Sequence, residues 1–282
     1  MAKKIELDKI KPKLKYIDEH GILPHLCYAL SAEDKPTMLT GDTGTGKSFV
    51  VREICEVSGW EYETINFHSA MTQGEIIGKY DFDGNGKVVW RDGVLTRCMR
   101  EGKVFIGEEA NAMSSSVSLC FYSPMDFKRE VVLTKKDGEV VKAHPDFRIV
   151  FTGNLGYRGT EKFNPAVQNR VAEWIEVPYL SAEIEAQLII REQGIDKVIA
   201  QNMSRVASAV RANRDKSGFA PLSTRCILNW AAKVKGGFEP LTAAETTIIP
   251  TLAEAPKERD IVRQFVKSVF HKKKFDDDDD EE

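Results

Sequence analysis

The chain has 282 residues, of which 42% are hydrophobic and 29% charged, and its formal net charge is −3. This length and composition predict a globular protein with one large domain, or a main domain and a smaller one. No apolar run reaches the roughly 18 residues that a membrane helix needs, so we expect no membrane span. The segment at residues 1–20 has charges but no apolar core, so we do not expect a secretory signal.

The cysteines and histidines form no recognisable ligand motif. There are five of each, with no C-x-x-C pair and no metal-ligand spacing among the histidines. Reduced thiols in a cytoplasmic protein are the usual origin of such a pattern. We therefore expect a cytoplasmic location and neither a disulfide framework nor a zinc site.

The charge is unevenly distributed along the chain. The seven residues Asp276–Glu282 are all acidic and follow the basic run at 271–274, so the rest of the chain carries a small positive charge. A block of like charges repels itself, and we predict a disordered tail that either aids solubility or docks a basic partner. No stripe of interleaved basic and aromatic residues indicates a nucleic-acid site.

In chain order, the first functional motif follows a basic, partly helical lead-in at residues 1–30. A short apolar run at 36–40 precedes the sequence GDTGTGKS, and a helical pattern follows it. Strand, glycine loop and helix together are typical of a loop whose backbone N–H groups bind phosphates. Lys47 would contact phosphate oxygens and Ser48 would offer its hydroxyl to Mg²⁺. The residues expected to bind nucleotide are Gly41, Asp42, Thr43, Gly44, Thr45, Gly46, Lys47 and Ser48.

Two acids follow the next strongly apolar strand. Residues 103–107 predict a buried strand, and Glu108 and Glu109 come directly after it. In phosphate-loop ATPases the first acid of such a pair supports Mg²⁺ and the second activates the attacking water. Glu108 stands where Asp is usual, which predicts looser metal binding and slower turnover. Two surface glutamates at a strand end are the alternative interpretation.

Polar residues also follow the later strands. Asn154 ends an apolar strand at 146–152, where its amide could contact both the attacking water and the γ-phosphate; an ordinary turn asparagine is the alternative. Arg170 precedes a last short strand at 174–177, as an arginine that reaches across a subunit boundary would, although a surface salt bridge explains it equally well.

Two segments predict β-hairpins beyond a minimal nucleotide-binding core. One has its turn at Asp83–Gly86, and the other places Asp137-Gly138 between two strand-like runs. Both hairpins are candidates for partner contact, with surface decoration as the alternative.

The distribution of these patterns divides the chain. Residues 31–180 alternate short strands and helices, which predicts an α/β domain with a parallel sheet covered on both faces. Residues 181–275 contain helices only, at 182–192, 197–213, 224–234 and 258–273. Ser223 or Thr224 could cap the third of these helices, with Arg225 in its first turn.

The order of these motifs resembles the AAA+ ATPases of the MoxR type, within the branch of NorQ- and CbbQ-like proteins. GDTGTGKS is similar to the Walker A motif, VFIGEEAN to Walker B, FTGN to sensor 1, NPAVQNR to the arginine-finger segment and PLSTR to sensor 2. The segments at 74–82 and 90–102 resemble the helix-2 insert that faces the central pore in this clade. The resemblance covers residues 36–230, most of the chain.

This resemblance implies an AAA+ fold, with a parallel five-stranded sheet between helices, β-hairpin insertions and a small helical lid over the nucleotide. It implies a hexameric ring that hydrolyses ATP with Mg²⁺, in which Glu109, Glu108 and Asn154 act together with Arg170 of a neighbour and Arg225 of the lid. MoxR-type proteins typically mature or reactivate a metabolic enzyme, often with a partner carrying a von Willebrand A domain.

Two alternatives to this ATPase and chaperone function remain. A nucleotide-gated scaffold would hydrolyse slowly and use binding alone to drive assembly. A motor subunit of a DNA-restriction or phage complex would prefer GTP or bind DNA in a salt-sensitive manner. No element that would recognise guanine is apparent, so ATP is favoured.

Overall fold

The computed structural model describes residues 4–32, 35–154, 164–213 and 220–270. The chain divides into two compact units, one formed by Met1–Gly41 and Gly46–Val177, the other by Asp42–Thr45 and Pro178–Glu282. The predicted acidic tail lies outside the described residues. Within those ranges, no helix has both the length and the apolar character needed to cross a bilayer.

The first unit is an α/β structure. Its strands are β1 (Thr37–Thr40), β2 (Tyr62–Asn66), β3 (Gly78–Phe82), β4 (Val88–Asp92), β5 (Val104–Glu108), β6 (Glu130–Leu133), β7 (Glu139–Lys142), β8 (Arg148–Gly153) and β9 (Glu173–Glu176). Its helices are α1 (Leu7–Ile10), α2 (Ile22–Ser31), α3 (Lys47–Ser58), α4 (Gln73–Ile76), α5 (Val94–Glu101), α6 (Ser115–Ser118), α7 (Tyr122–Met125) and α8 (Pro165–Gln168). Short 3₁₀ turns lie at Lys11–Lys13, Ala110–Ala112 and Leu119–Phe121.

Five strands form one parallel sheet in the order β2-β5-β8-β1-β9. The sheet confirms the predicted parallel five-stranded architecture. Thr40 of β1 lies opposite Gly153 of β8, and Gly107 of β5 lies opposite Phe151. The carboxyl ends of three neighbouring strands therefore meet at one edge, where open parallel sheets bind their ligands.

Each face of the sheet is covered by its own hydrophobic core. On β5, Val104 and Ile106 pack into one cluster with residues of α2 and α3, whereas Phe105 packs into the other. This alternation follows from the two-residue period of a strand. Both faces are buried, so the central strands read as continuous apolar runs.

A group of four phenylalanines explains the glycine in β5. The rings of Phe67, Phe105, Phe121 and Phe151 lie 5.2 to 6.4 Å apart between centroids. A Cβ atom at Gly107 would lie 2.5 Å from the Phe67 ring. Only glycine fits there, so this departure from an all-apolar strand is a packing requirement.

The two predicted hairpins are present. β3 pairs antiparallel with β4, and β6 with β7. On the first hairpin the ring of Trp90 is half-buried and meets Tyr80 edge to face at 5.3 Å between centroids. Phe82 is 66% exposed, so it is a surface residue.

The lead-in docks on α3, the helix that follows the glycine loop. The backbone N–H groups of Lys15 and Tyr16 donate to the carboxylate of Glu53, at 2.5 and 2.8 Å. Glu53 is buried, and a buried carboxylate needs such donors. Burial also raises the pKa of the Tyr16 hydroxyl, with a further contribution from Asp18.

The second unit is helical, as predicted. Its longer helices are α9 (Ala182–Gln193), α10 (Lys197–Ala212), α11 (Thr224–Lys235), α12 (Pro240–Thr247) and α14 (Pro256–Phe270), with the short α13 (Ile249–Leu252) before the last. Trp230 is fully buried in its core. Arg211 forms a bidentate ion pair with the fully buried Glu185, at 2.8 and 2.9 Å, and stacks on Tyr179. Such a pair costs desolvation but is strongly destabilising to break.

The burial of the cysteines generates a labelling prediction. Cys55, Cys98 and Cys120 are buried, and burial raises the pKa of each thiol to about 12, whereas Cys226 is partly exposed. Since the thiolate is the reactive form, iodoacetamide at pH 8 should modify Cys226 in the native protein and the three buried thiols only after unfolding in guanidinium. Peptide mass spectrometry measures each site. Fast native labelling of Cys55 or Cys98 would contradict the described core.

Candidate active site

The glycine loop lies between β1 and α3, as the sequence predicts. Gly41, Gly44 and Gly46 have φ values of 140°, 73° and 94°, in the region that side chains disfavour. Gly46 is the N-cap of the twelve-residue helix α3. The N-terminal N–H groups and the positive dipole end of that helix face the loop, a combination that binds phosphate.

Lys47 is the first residue of α3 and is only 8% exposed. Its Nζ donates to the Gly41 carbonyl at 3.0 Å and to the Asn154 side-chain Oδ1 at 2.8 Å. Both of these acceptors are uncharged, and they orient the ammonium group. A buried ammonium group beside a glycine loop suits an anionic ligand such as a phosphate.

Asn154 joins Lys47 to Glu109. Its Nδ2 lies 3.3 Å from Glu109 Oε2, and its backbone N–H donates to Asn111 Oδ1 at 3.3 Å. Glu109 follows β5 with φ of 54°, an uncommon value for a residue with a side chain. Such backbone conformations cluster at functional sites because surrounding structure must hold them in place. Lys47, Glu109 and Asn154 are far apart in the sequence, yet their side chains form one chain of hydrogen bonds.

The neighbouring oxygens suit a divalent cation. Glu108 Oε1 is buried and accepts no hydrogen bond from the described residues. Arg52 Nη2 lies 3.3 Å from it as a charge pair without hydrogen-bond geometry. Ser48 Oγ lies 3.4 Å from Thr152 Oγ1. Carboxylate and hydroxyl oxygens are the ligands that Mg²⁺ prefers, so the residues present fit this ion.

Arg170 does not join this group in the described part of the chain. Its Nε lies 3.2 Å from Asp126 Oδ2, its Nη1 donates to the Ala166 carbonyl at 2.9 Å, and its guanidinium lies 4.7 Å from the Tyr122 ring centroid. The salt bridge that was the alternative interpretation is therefore present. The pair is partly solvent-exposed.

Arg225 belongs to the second unit. It lies in the first turn of α11 and is exposed. Of the two candidate caps, Ser223 is the one that forms the cap, accepting the Cys226 N–H at 3.2 Å. This cap fixes where the helix begins and therefore which residue occupies its first turn.

Sequence reasoning missed four residues that contact the predicted ones. Arg52 follows Ser48 by four positions, and its Nε donates to the Ser48 carbonyl, so helical spacing was an available signal. Thr152 lies on β8, where every residue is buried, and nothing in the sequence distinguished it. Tyr122 and Asp126 lie more than forty positions before Arg170, and no local pattern links them to it.

Comparisons with known proteins agree with this geometry. Residues 36–171 match the AAA domain of the dynein-related subfamily, and residues 185–269 match the C-terminal domain of CbbQ, NirQ and NorQ. The chain is 30% identical to protein CbbQ of Hydrogenophilus thermoluteolus over 83% of this chain and 87% of that protein. It is 28% identical to protein NorQ of Paracoccus denitrificans over 86% and 89% of the two chains.

Among solved structures, the fold is similar to a RuvB mutant of Thermotoga maritima. The TM-score is 0.55, with 13% identity over 82% of this chain and 71% of that one. At this identity the likeness concerns the fold alone. It supports the assignment of the sheet and the helices around it to the AAA+ architecture.

Replacing Lys47 tests whether this group of residues binds nucleotide. A hydrogen bond to a charged group is worth about 1.5–3 kcal/mol, so Lys47→Ala should weaken ATP binding about 10- to 100-fold. Titration with a fluorescent ATP analogue measures the affinity. Lys87→Ala, which alters an exposed lysine of the β3–β4 hairpin, is the matched control and should bind like the parent. Equal affinities for the two variants would contradict a phosphate site at Lys47.

Proposed function

Since the chain belongs to the CbbQ/NirQ/NorQ family of AAA proteins, we propose that it hydrolyses ATP in a ring and thereby remodels or activates a client enzyme. One observation carries the hydrolytic part of this proposal. Asn154 contacts both the buried ammonium of Lys47 and the carboxylate of Glu109. A base is thus held beside the group that would bind the phosphates.

The chemistry follows from these contacts. Lys47 binds phosphate oxygens of ATP and offsets the negative charge that shifts during transfer. Glu109 accepts a proton from a water molecule while the oxygen of that water attacks the γ-phosphorus. At the same time the bond breaks between the γ-phosphorus and the oxygen that bridges it to the β-phosphorus. Asn154 orients Glu109 and the water, because its amide has both a donor and an acceptor.

Ser48 and Glu108 would hold Mg²⁺ at this site. The ion, when bound, neutralises charge on the phosphates. Arg52 limits the freedom of the longer Glu108 side chain through the 3.3 Å charge pair. The carboxylate of Glu108 is therefore held in position although its side chain is longer than that of aspartate. This restraint favours hydrolysis over a scaffold that only binds nucleotide.

The ring completes the site. Arg170 of a neighbouring subunit would contact the developing charge on the γ-phosphate, and Arg225 of the helical lid would sense whether that phosphate is present. Loss of the phosphate would then shift the lid and the two hairpins, which transmit the change to the client. The hexameric ring, the client enzyme and a partner with a von Willebrand A domain are inferred from the MoxR resemblance.

Replacing Glu109 separates this proposal from the scaffold alternative. Glu109→Gln removes the proton acceptor but retains the shape, so turnover should fall about 10²- to 10⁴-fold with ATP affinity unchanged. Steady-state phosphate release measures turnover. Glu254→Gln is the matched control at an exposed glutamate of the second unit and should retain parental turnover. Indistinguishable rates for parent and Glu109→Gln would support the scaffold.

A concentration series tests the role of Arg170. Turnover per subunit should rise as rings form, and Arg170→Ala should lower it about 10³- to 10⁵-fold without loss of ATP binding. Phosphate release with sizing in parallel measures both quantities. Flat, negligible turnover of the parent in intact rings would count against an ATPase acting without its partner.

Mixing two inactive variants shows whether Arg170 acts on a neighbour. Lys47→Ala subunits contribute Arg170 but no working nucleotide site. Arg170→Ala subunits contribute a nucleotide site but no arginine. Mixed rings should recover part of the turnover, because some interfaces then pair two intact elements. Failure to recover in rings of confirmed mixed composition would place Arg170 outside the neighbour's site.

A further inference from the structure

One short helix holds the side chain of Arg170. Helix α7 begins at Tyr122, whose ring lies 4.7 Å from the guanidinium carbon, and ends at Met125, with Asp126 as its C-cap. Asp126 Oδ2 lies 3.2 Å from Arg170 Nε. Both contacts thus come from the two ends of a single element, which fixes them relative to each other.

The same helix is tied to the segment that carries Arg170. The Tyr122 hydroxyl donates to Asn164 Oδ1 at 3.3 Å. That oxygen also accepts the Ala166 N–H at 2.9 Å and caps α8. Asn164 caps α8 and also contacts Tyr122 of α7. These two contacts fix the position of α7 relative to the segment that carries Arg170.

These contacts use two of the three guanidinium nitrogens. Nε faces Asp126 and Nη1 donates to the Ala166 carbonyl, whereas Nη2 has no hydrogen bond to any described residue. A bidentate pair with Asp126 would have consumed Nη2 as well. The observed arrangement orients the group and leaves a donor for a further ligand.

Most of the charged residues that line the cavity beside Arg170 are basic. It lines a cavity of about 290 Å³ together with Lys35, Arg129 and Arg148, and Asp126 is the acidic residue among the described lining residues. Of these residues, Arg148 is buried and donates to the Leu30 and Pro145 carbonyls.

We propose that Asp126 is a positioning residue, which holds Arg170 by its Nε so that the Nη2 edge is ready for the nucleotide of a neighbouring subunit. This inference rests on the proposed role of Arg170 at the subunit interface. Pre-orientation reduces the conformational freedom that the side chain loses when it engages the phosphate. Asp126 and Arg170 are 44% and 28% exposed, and exposed pairs contribute little to stability, so the effect should appear in turnover and not in folding.

The test compares Asp126→Ala with Asp126→Asn at concentrations where rings are complete. Asp126→Ala should lower kcat about fivefold, the loss expected for one weak orienting contact, with ATP affinity and Tm unchanged. Asp126→Asn retains an oxygen that accepts from Nε and should keep most of the turnover. Increased turnover in Asp126→Ala would show instead that Asp126 sequesters Arg170, and unchanged turnover would show that it does neither; both results overturn the inference.

Mixed rings show whether Asp126 acts through Arg170. In rings of Lys47→Ala and Arg170→Ala subunits, Asp126→Ala should lower the recovered turnover when placed in the Lys47→Ala subunit, which supplies the arginine. Placed in the Arg170→Ala subunit, it should change nothing. Equal loss in both placements would overturn the inference while leaving the role of Arg170 intact. No recovery before Asp126 is altered would instead overturn the proposed interface mechanism, and this inference with it.

Discussion

The side-chain amide of Asn154 is the contact on which the candidate site depends. Its oxygen accepts from the buried Lys47 ammonium, and its nitrogen donates to Glu109. Since an amide has one donor and one acceptor end, the two partners determine its orientation together. A rotation that satisfied one neighbour would lose the other. The group proposed to bind phosphate and the group proposed to activate water are therefore coupled through a single side chain.

This coupling is possible because the sheet is parallel. The loop after β1, the two acids at the end of β5 and Asn154 after β8 all lie at one edge of the sheet, since these strands are neighbours with matched register. Side-chain packing also constrains the backbone at this edge of the sheet. Gly107 is excluded from carrying a side chain by Phe67, and the backbone at Glu109 adopts a positive φ immediately beyond it.

The glutamate at position 108 is less unusual in the structure than in the sequence. Its extra methylene group extends the carboxylate, and Arg52 lies beside it while also donating to the Ser48 carbonyl. Arg52 therefore contacts both residues that suit Mg²⁺. The Arg170 segment shows the same principle, because the side chain proposed to reach a neighbouring subunit is held by Asp126, to which we assign no chemical step.

The sequence by itself determined the parallel sheet and the helical C-terminal unit, because these depend on local patterns: apolar runs, glycine spacing and helix caps. The family, and with it the number of five strands, was inferred from the resemblance of several motifs to AAA+ ATPases. It also identified Lys47, Glu109 and Asn154 as candidates, since each ends or begins a predictable element. The tertiary structure alone decided which side chains touch. The contacts of Arg52 with Glu108 and of Asp126 with Arg170 join residues 56 and 44 positions apart, and their formation depends on how separate elements pack. Side-chain contacts across such distances leave no periodic trace in a single sequence.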